Sequence, residues 1–488
     1  MSAAYLGIDI GTSSVKALLI SARGKALGDA SAPLSVSRPK PGFSEQDPAD
    51  WFAATLKAVD RLKREYGAAL SAVRGIGLSG QMHGATLLDK AHKVIRPAIL
   101  WNDTRSAKEC AEIEAAFPRS REVAGNIAMP GFTAPKVQWV RNNEKKNYQR
   151  IAKVLLPKDY VRFLLSGEFV SEMSDAAGTL WLDVARRDWS DDLLAATGLS
   201  RSHMPSLVEG TEVSAELSKK LADRWGMKTQ PVIAGGGGDN AASACGIGAL
   251  SPGEGFVSLG TSGVLFVANE KFSPNTNGAV HAFCHAVPGV WHQMGVILSA
   301  TDSLNWLAGV SKQMPDRLAE AVADNFEGPG AEIFLPYLSG ERTPHNDANA
   351  RGAFVGLSHL STPVHLAQAV MEGVAFAVRD CQRVLADAGT RIGTLLAVGG
   401  GSKSPLWLKM LAANLNTEIL LPQDGDFGAA FGAARLGLCA AEGAKPADIM
   451  TMPKIAKRVK PDPRLAEAYA ISYARYRALY PAIRGAMQ

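Results

Sequence analysis

The sequence is poor in cysteine, and its cysteines show no pattern. The 488 positions hold five of them, Cys110, Cys245, Cys284, Cys381 and Cys439. Their number is odd, and their spacing matches neither a zinc site nor a disulfide framework. We therefore expect small core residues in a reducing compartment, and we exclude the class of disulfide-stabilised secreted proteins.

Long apolar runs and concentrations of one charge are also missing. No apolar run approaches the ~20 residues that a membrane-spanning helix needs, and the amino terminus lacks the basic flank and apolar core of a signal peptide. The 52 basic and 47 acidic side chains are mixed along the chain, for a net charge of +5. These absences predict a soluble, cytoplasmic protein that binds neither a membrane nor nucleic acid.

Neither of two common nucleotide-binding motifs is present with both its residues and the secondary structure that it requires. No segment has the P-loop pattern G-x-x-x-x-G-K-[ST]. Residues 75–80 match the fingerprint G-x-G-x-x-G, which requires a preceding strand and a helix that opens at it. Here the first two glycines lie inside a predicted strand at 73–78, and a second strand is predicted at 85–88. A nucleotide must therefore be held in another way.

What the sequence does have is one local pattern used twice. Residues 5–16 and 256–267 each predict an apolar strand, a tight Gly-Thr-Ser turn and a second apolar strand. The turns are formed by Gly11, Thr12 and Ser13 and by Gly260, Thr261 and Ser262. Backbone N–H groups and hydroxyls in such a turn make a concave site for an anion such as a phosphate. The repeat predicts two related lobes with a ligand between them.

The two copies differ at one position that bears on metal binding. Asp9 precedes the first turn, whereas Ser258 occupies the matching position before the second. Only the first lobe thus offers a carboxylate beside the phosphates. A carboxylate there suits a hard cation such as Mg²⁺, although an Asp before a turn can also serve only to cap it.

Strands alternate with helices in both halves, which predicts the α/β class. At this length we expect two large domains, 1–245 and 246–488, divided near Ser251-Pro252-Gly253. A predicted helix at 426–438 consists largely of Ala and Gly and suits close packing on a neighbour. The amphipathic, aromatic tail 463–480 is expected to cover one lobe.

Asp239 is the strongest candidate for a catalytic group. It follows a predicted buried strand at 232–234 and four glycines, and it stands at the first turn of a predicted helix. An Asp there can be a helix cap. Because glycines leave its carboxylate uncrowded, it is also well placed to accept a hydroxyl proton during phosphoryl transfer.

Two further segments carry candidate binding residues. Met82 and His83 lie in a polar loop between two predicted strands, and Trp101 opens an aromatic, amide, acid and base cluster just after the strand 98–100. Such a cluster can bind a polyol or form a salt bridge that opens a helix. The glycines and serine at 399–402 follow another strand, where the backbone can approach an adenine or ribose closely.

These residues resemble a known family. The segments 7–13, 131–140, 352–357 with Met371 and Glu372, and 397–401 resemble the FGGY carbohydrate kinases, and the resemblance runs from about residue 4 to 440. Within that family, segments 79–85, 99–103, 156–160, 173–179 and 336–345 are most similar to the members that act on D-xylulose. One departure is the run of four glycines before Asp239, where three are expected.

The resemblance implies two actin-like (ribonuclease-H-like) ATPase lobes around a central cleft, with ATP and Mg²⁺ in the cleft. It implies phosphorylation of D-xylulose, with Asp239 as general base and Asp9 as the metal-side carboxylate. By the same resemblance, the sugar-contacting residues are Met82, His83, Trp101, Asp239 and Asn240. The phosphate and nucleotide contacts it implies are Gly11, Thr12, Ser13, Gly260, Thr261, Ser262, Gly400, Gly401 and Ser402. A homodimer is one expected assembly.

Two alternatives stay open at this point. One is a kinase for a neighbouring ketose or polyol, such as ribulose or 1-deoxyxylulose, because a few hydrogen bonds decide stereochemistry. The other is an actin-like ATPase that changes shape or binds partners without sugar turnover. Ser258 in place of a second Asp and the polar loop with Met82 and His83 favour the kinase.

Overall fold

Two seven-stranded sheets form the centre of the molecule in the computed structural model, which describes residues 3–423 and 428–486. The first sheet contains β1 (Ala4–Ile10), β2 (Ser14–Ser21), β3 (Ala26–Pro33), β4 (Val73–Gly80), β5 (Val213–Glu216), β6 (Val232–Ala234) and β7 (Gly237–Gly238). The second contains β8 (Glu254–Leu259), β9 (Gly263–Asn269), β10 (His281–Cys284), β11 (Trp291–Ile297), β12 (Thr394–Val398), β13 (Ile419–Pro422) and β14 (Ile455–Val459).

The two sheets share one strand order. The first runs β3-β2-β1-β4-β6-β5 and the second β11-β9-β8-β12-β13-β14, with β7 added beside β4 and β10 beside β11. In both, two antiparallel pairings are followed by two parallel pairings and a final antiparallel one. The predicted pair of related α/β lobes is therefore confirmed.

Helices cover the sheets and connect the strands. The longer or functionally placed ones are α1 (Pro48–Leu70), α2 (Ala107–Ala116), α3 (Thr133–Asn143), α4 (Pro157–Ser166), α5 (Met173–Ala177), α6 (Asp239–Ile247), α7 (Thr301–Ser311), α8 (Pro315–Asp324), α9 (Pro363–Asp387), α10 (Pro405–Leu415), α11 (Ala429–Glu442) and α12 (Pro463–Ile483). Shorter helices are Ser120–Ala124, Lys145–Tyr148, Asp191–Ala196, Lys219–Trp225 and Pro446–Ile449. The described residues also form five two-stranded pairs: Glu45–Gln46 with Ala98–Ile99, Thr86–Leu88 with Lys153–Leu155, Val170–Glu172 with Ser206–Val208, Leu182–Asp183 with Asp188–Trp189, and Ile333–Leu335 with Ala353–Val355.

Helix α11 comes late in the chain but packs on the first sheet. A Cβ on Gly77 of β4 would lie 1.7 Å from the carbonyl oxygen of Ala433, and one on Gly7 of β1 would lie 1.9 Å from that of Ala430. Only glycine permits so close a backbone approach. The helix predicted at 426–438 thus packs on a neighbour as expected, although its first two residues lie outside the described part of the chain.

The same contact explains the glycines of residues 75–80. Gly75 and Gly77 lie within β4, and a Cβ on Gly75 would lie 2.2 Å from the carbonyl oxygen of Gly437 in α11. These glycines therefore make room for a helix. They do not form a dinucleotide-binding turn. This agrees with the sequence, which placed the first two glycines of the motif inside a strand.

The tail helix α12 covers the second lobe. Tyr469 and Tyr476 are buried in the core that also contains Phe376 of α9, and the Tyr476 hydroxyl lies 2.9 Å from that of Tyr337. All five cysteines of the chain are buried and unpaired, as expected of core residues. Among the residues that the structure describes, no helix is long and apolar enough to cross a membrane.

Candidate functional site

The two Gly-Thr-Ser turns connect β1 to β2 in the first sheet and β8 to β9 in the second. Antiparallel pairing continues up to each turn, with Ile10 opposite Val15 and Leu259 opposite Gly263. Each turn therefore lies at the carboxyl end of a central strand that also pairs with a parallel neighbour. In open α/β sheets this edge is where ligands bind.

The threonine hydroxyls of the two turns have different surroundings. Thr12 donates to Oε1 of Gln81 at 3.0 Å and accepts from the indole N–H of Trp101 at 3.0 Å. Gln81 is oriented in turn by donating to Oε1 of Gln46 at 2.8 Å. The exposed Thr261 side chain makes no hydrogen bond within 3–423 and 428–486. The first hydroxyl is thus fixed by the protein, and the second is available to a ligand.

Asp9 and Asp239 face each other across one strand. Asp9 of β1 lies beside Ser79 of β4, and Ser79 pairs on its other side with Gly237 of β7. Asp239 begins α6 two residues after Gly237. Neighbouring strands lie about 4.8 Å apart, so the backbones of Asp9 and Gly237 lie about two strand spacings apart, and Asp239 follows at the same edge of the sheet.

Both carboxyl groups have raised pKa values. Burial, opposed by hydrogen bonds from the backbone N–H and side-chain amide of Asn240, raises the pKa of Asp239 to about 6. These bonds reach Oδ1 at 2.7 and 3.0 Å. Burial and then repulsion from Asp239 raise the pKa of Asp9 to about 7. Carboxyl groups tuned towards neutral pH are typical of general bases.

The Asp9 side chain is suited to a metal-side role. Its Oδ1 atom is buried and has no hydrogen-bond partner among the described residues. No group of three or more His, Cys, Asp or Glu side chains forms a metal cage in the part of the chain that the structure describes. Mg²⁺ commonly binds through one or two carboxylates together with water and substrate phosphates, so this donor set fits Mg²⁺ bound with ATP.

Met82 and His83 lie beside the turn that precedes Asp239. A Cβ on Gly238 would be 3.1 Å from the Met82 sulfur. His83 has a positive φ of 73°, and its Nδ1 lies 2.6 Å from the carbonyl oxygen of Gly178. Since a carbonyl only accepts, Nδ1 carries the proton, and Nε2 is an acceptor that has no partner among the described residues. Burial, with the charge of Lys136, lowers the His83 pKa to about 3, which keeps the ring neutral.

Side chains of α3 bind the backbone of the loop that contains His83. Lys136 is fully buried and donates to the carbonyl oxygens of His83 at 2.9 Å and Gly131 at 2.6 Å. The hydroxyl of Thr133 donates to the same His83 carbonyl at 3.1 Å. The segment 131–140, which the sequence associates only with family resemblance, therefore supports the predicted binding loop.

Arg342 of the second lobe lies near the loop that contains His83. The sequence alone did not indicate this residue. Its Nη1 lies 3.4 Å from Nε2 of His281, whose ring stacks on Phe283 at 5.4 Å. Phe283 also lies 6.4 Å from the His83 ring. Arg342 forms no ion pair with a carboxylate among the described residues, so its charge is available to a ligand. The segment 336–345 was the signal that could have indicated it.

A cavity of about 500 Å³ lies between α6 and the second sheet. Its lining includes Asn240, Phe256, Ser258, Gly399 and Ser402. Gly400 is exposed with open space where a Cβ would stand, whereas Gly401 packs on Leu259. The Ser402 hydroxyl donates to the carbonyl oxygen of Gly399 at 2.7 Å. Asn240, predicted on the sugar side, thus borders this cavity as well.

The two lobes share one strand order, and each has a Gly-Thr-Ser turn of a size that fits a phosphate. Together with the two carboxylates at the carboxyl edge of the first sheet, these features define the class of actin-like ATPase folds. The models of the FGGY family of carbohydrate kinases match the chain over residues 4–246 for the N-terminal domain and 255–441 for the C-terminal domain. The chain belongs to this family, and it is a carbohydrate kinase with ATP as the phosphate donor.

Individual relatives are similar over nearly the whole chain. The xylulose kinase of Escherichia coli (strain K12) is 47% identical over 480 residues, which cover 98% of each chain. That of Bacillus subtilis (strain 168) is 37% identical over 434 residues, covering 88% of this chain and 87% of the relative. A solved structure from Brucella ovis, described as a xyloylose kinase, has a TM-score of 0.97 and 55% identity, with 99% of both chains covered. The fold also matches Plasmodium falciparum glycerol kinase with a TM-score of 0.88 at 19% identity, with 97% of both chains covered.

Proposed function

We propose that the protein transfers the γ-phosphoryl group of ATP to D-xylulose and forms D-xylulose 5-phosphate and ADP. The observation that carries this proposal is the 47% identity to the E. coli xylulose kinase across 98% of both chains. The placement of Met82 and His83 beside Asp239 supports a sugar site at the point where the two lobes meet.

In this proposal Asp239 is the general base. Its carboxylate takes the proton from the primary hydroxyl of the sugar, the oxygen forms a bond to the γ-phosphorus, and the bond to the bridging oxygen of ADP breaks. Its pKa of about 6 leaves it ionised at neutral pH yet basic enough to accept a proton. The two hydrogen bonds from Asn240 to Oδ1 leave Oδ2 as the oxygen that faces the hydroxyl.

Sugar recognition is proposed on both sides of the cleft. The unprotonated Nε2 of His83 accepts from a sugar hydroxyl, and Met82 and the half-exposed indole of Trp101, 41% accessible, provide apolar contact. Arg342 donates from the second lobe to an oxygen of the ketose. An acceptor and a charged donor at one end of the site suit the hydroxyl and carbonyl of a ketose.

The phosphates are proposed to bind between the turns Gly11–Thr12–Ser13 and Gly260–Thr261–Ser262, with the nucleoside in the cavity lined by Ser402 and near Gly400 and Gly401. Asp9 would hold Mg²⁺. When bound, Mg²⁺ offsets negative charge on the phosphates. The chain's own contribution is to orient the phosphates by backbone N–H groups and the Thr261 hydroxyl.

An ADP-release assay with a panel of pentuloses and polyols tests the proposal. We expect D-xylulose to raise ADP release in MgATP well above the sugar-free rate and above ribulose, 1-deoxyxylulose, xylitol and arabitol. A higher kcat/KM for another acceptor would reassign the substrate. No stimulation by any acceptor would instead favour an ATPase without sugar turnover.

We also propose that the protein is cytoplasmic, a homodimer, and divided into functional lobes at about residue 245. Sedimentation of the purified chain tests the assembly, with a single species of twice the 51.6 kDa chain mass expected.

A further inference from the structure

A buried group of charged and polar side chains lies directly behind the turn that carries Asp239. We call it the buried polar network, and it consists of Lys158, Asp159, Arg162, Ser171, Glu172, Ser174 and Asp175. All five charged side chains are completely inaccessible to solvent. Burying charges is unfavourable unless they are paired and hydrogen-bonded, so five of them at one place call for a reason.

The network is held together by Lys158. Its Nζ lies 2.8 Å from Asp159, 3.2 Å from Asp175 and 3.4 Å from Glu172. Burial raises the pKa of Asp175 well above its usual range, which brings the two cations and three carboxyl groups towards neutrality. The Ser171 hydroxyl donates to the Asp159 carboxylate at 2.6 Å and also belongs to the network.

Two members of the network reach the backbone of the turn. Arg162 donates to the carbonyl oxygens of Ala234 at 2.7 Å and Gly235 at 2.5 Å. Ser174 accepts from the backbone N–H of Gly238 at 3.0 Å. Because the Ser174 hydroxyl donates to Glu172 at 3.0 Å, its lone pair is turned towards Gly238.

The turn has little freedom elsewhere. The N–H of Gly235 donates to the carbonyl of Glu212 at 2.8 Å, and that of Gly236 donates to Gly210 at 2.9 Å. Gly236 has a φ of +83°, in the left-handed region. Gly238 is followed directly by Asp239, so a shift of Gly238 moves the carboxylate with it.

We propose that Ser174 and Arg162 are positioning residues for phosphoryl transfer, which fix the turn 234–238 and thereby the Asp239 carboxylate. This inference rests on the general-base role proposed for Asp239. Neither residue touches the substrates. Their effect on rate follows because a displacement of about 1 Å in a reacting group can lower turnover by about 100-fold.

The chain offers a matched pair of variants for the test. Ser174→Ala and Ser171→Ala each remove one buried hydroxyl from the same network, but only Ser174 contacts the turn. We expect Ser174→Ala to lower kcat by about 10- to 100-fold, with the KM values for sugar and ATP within about threefold of wild type. We expect Ser171→Ala to keep kcat within about twofold, with a similar drop in Tm.

The pH dependence provides a readout that a merely structural role would not change. In Ser174→Ala a displaced, better-solvated Asp239 should move the acid limb of kcat to lower pH, and in Ser171→Ala the limb should not move. Arg162→Lys, which keeps the charge but cannot span both carbonyls, should behave like Ser174→Ala. Should Ser174→Ala not fold, Ser174→Cys carries the same expectation, because sulfur is a weak acceptor of similar shape.

Equal kcat and equal pH profiles for the Ser174 and Ser171 variants would overturn the inference. Wild-type turnover of D-xylulose tests the proposed function separately. If another acceptor from the panel is the substrate, the two variants are compared with that acceptor, and their ratio still decides the matter.

Discussion

The negative charge of Asp239 raises the pKa of Asp9, which lies across strand β4 from it. The two carboxylates repel each other where the proposed mechanism needs both a proton acceptor and a metal-side ligand. Because two nearby negative charges repel, the two carboxyl groups lose their protons over different pH ranges. The pair therefore gives measurable consequences for rate, for pH dependence and for stability.

Asp239→Asn should lower kcat by about 10² to 10⁴-fold, because the sugar hydroxyl loses its proton acceptor. Sugar binding, measured by isothermal titration, should be largely kept, since Asn preserves the shape. The acid limb of wild-type kcat/KM should lie near pH 6, the pKa of Asp239. The exposed Asp316→Asn is the control and should leave kcat unchanged. Retention of more than a third of wild-type turnover in Asp239→Asn would exclude the general-base role.

The same substitution should stabilise the protein above neutral pH. The folded-state pKa of Asp239 is raised, from an ordinary 3.8 to about 6, so the stability that its protonation contributes is present below about pH 4 and is lost as the pH rises through 6. Asp239→Asn also removes the repulsion on Asp9. We expect its Tm to exceed that of wild type at pH 8 and the difference to shrink at pH 4. A constant difference between the two pH values would contradict this.

Asp9→Ala should weaken activation by Mg²⁺ far more than it weakens sugar binding. The reason is that its buried Oδ1 has no hydrogen-bond partner among the residues that the structure describes and is available to the hydrated cation. A Mg²⁺ activation curve beside calorimetric titration with D-xylulose separates the two effects. Asp29→Ala, at a more exposed carboxylate on β3, is the control. Equal losses in both measurements would indicate that Asp9 is only structural.

Thr261→Val and Thr12→Val should differ. The Thr261 hydroxyl has no hydrogen-bond partner in the described part of the chain, so its loss should lower kcat by about tenfold through weaker contact with the phosphates, with D-xylulose affinity within about threefold. Thr12 is bound to Trp101 and Gln81, so its loss should also disturb the indole and raise the KM for the sugar. Steady-state kinetics in both substrates distinguish them. A large loss of sugar affinity in Thr261→Val would place the sugar on the other side of the cleft.

Gly77→Ala should lower stability by about 1–3 kcal/mol or prevent folding, because the added Cβ would lie 1.7 Å from the carbonyl oxygen of Ala433. Gly67→Ala in α1 is the control, since a Cβ there meets no atom within 4 Å. Alanine favours helices, so that variant should melt at or above the wild-type temperature. Thermal unfolding followed by circular dichroism decides between the two outcomes.

Local pattern was enough to predict the parts of the fold that depend on neighbours in sequence. The paired hairpins and the strand before Asp239 are both present as expected. Strand alternation and turn residues carry that information directly. The common strand order of the two sheets could be expected only once the hairpins were seen to repeat.

Contacts between distant segments were beyond what the sequence could predict. Nothing near Gly77 indicates that Ala433 lies against it, and nothing near Thr12 indicates Trp101. The buried polar network brings the segments 156–160 and 173–179 together behind Asp239, although charged side chains mostly lie at protein surfaces. Two of the four glycines before Asp239 also gain an explanation, because a Cβ on Gly235 would lie 2.2 Å, and one on Gly236 2.1 Å, from a backbone oxygen.

The packing of α11 on the first sheet predicts how fragments of the chain would behave. A fragment that ends near residue 250 would encode every strand of the first sheet but would leave Gly7, Gly75 and Gly77 as a strip of uncovered backbone. The complementary fragment would carry a helix rich in alanine and glycine with no sheet beneath it. Each half would thus hold a piece that the other requires, so the two should be recovered together when co-expressed and should aggregate when expressed apart.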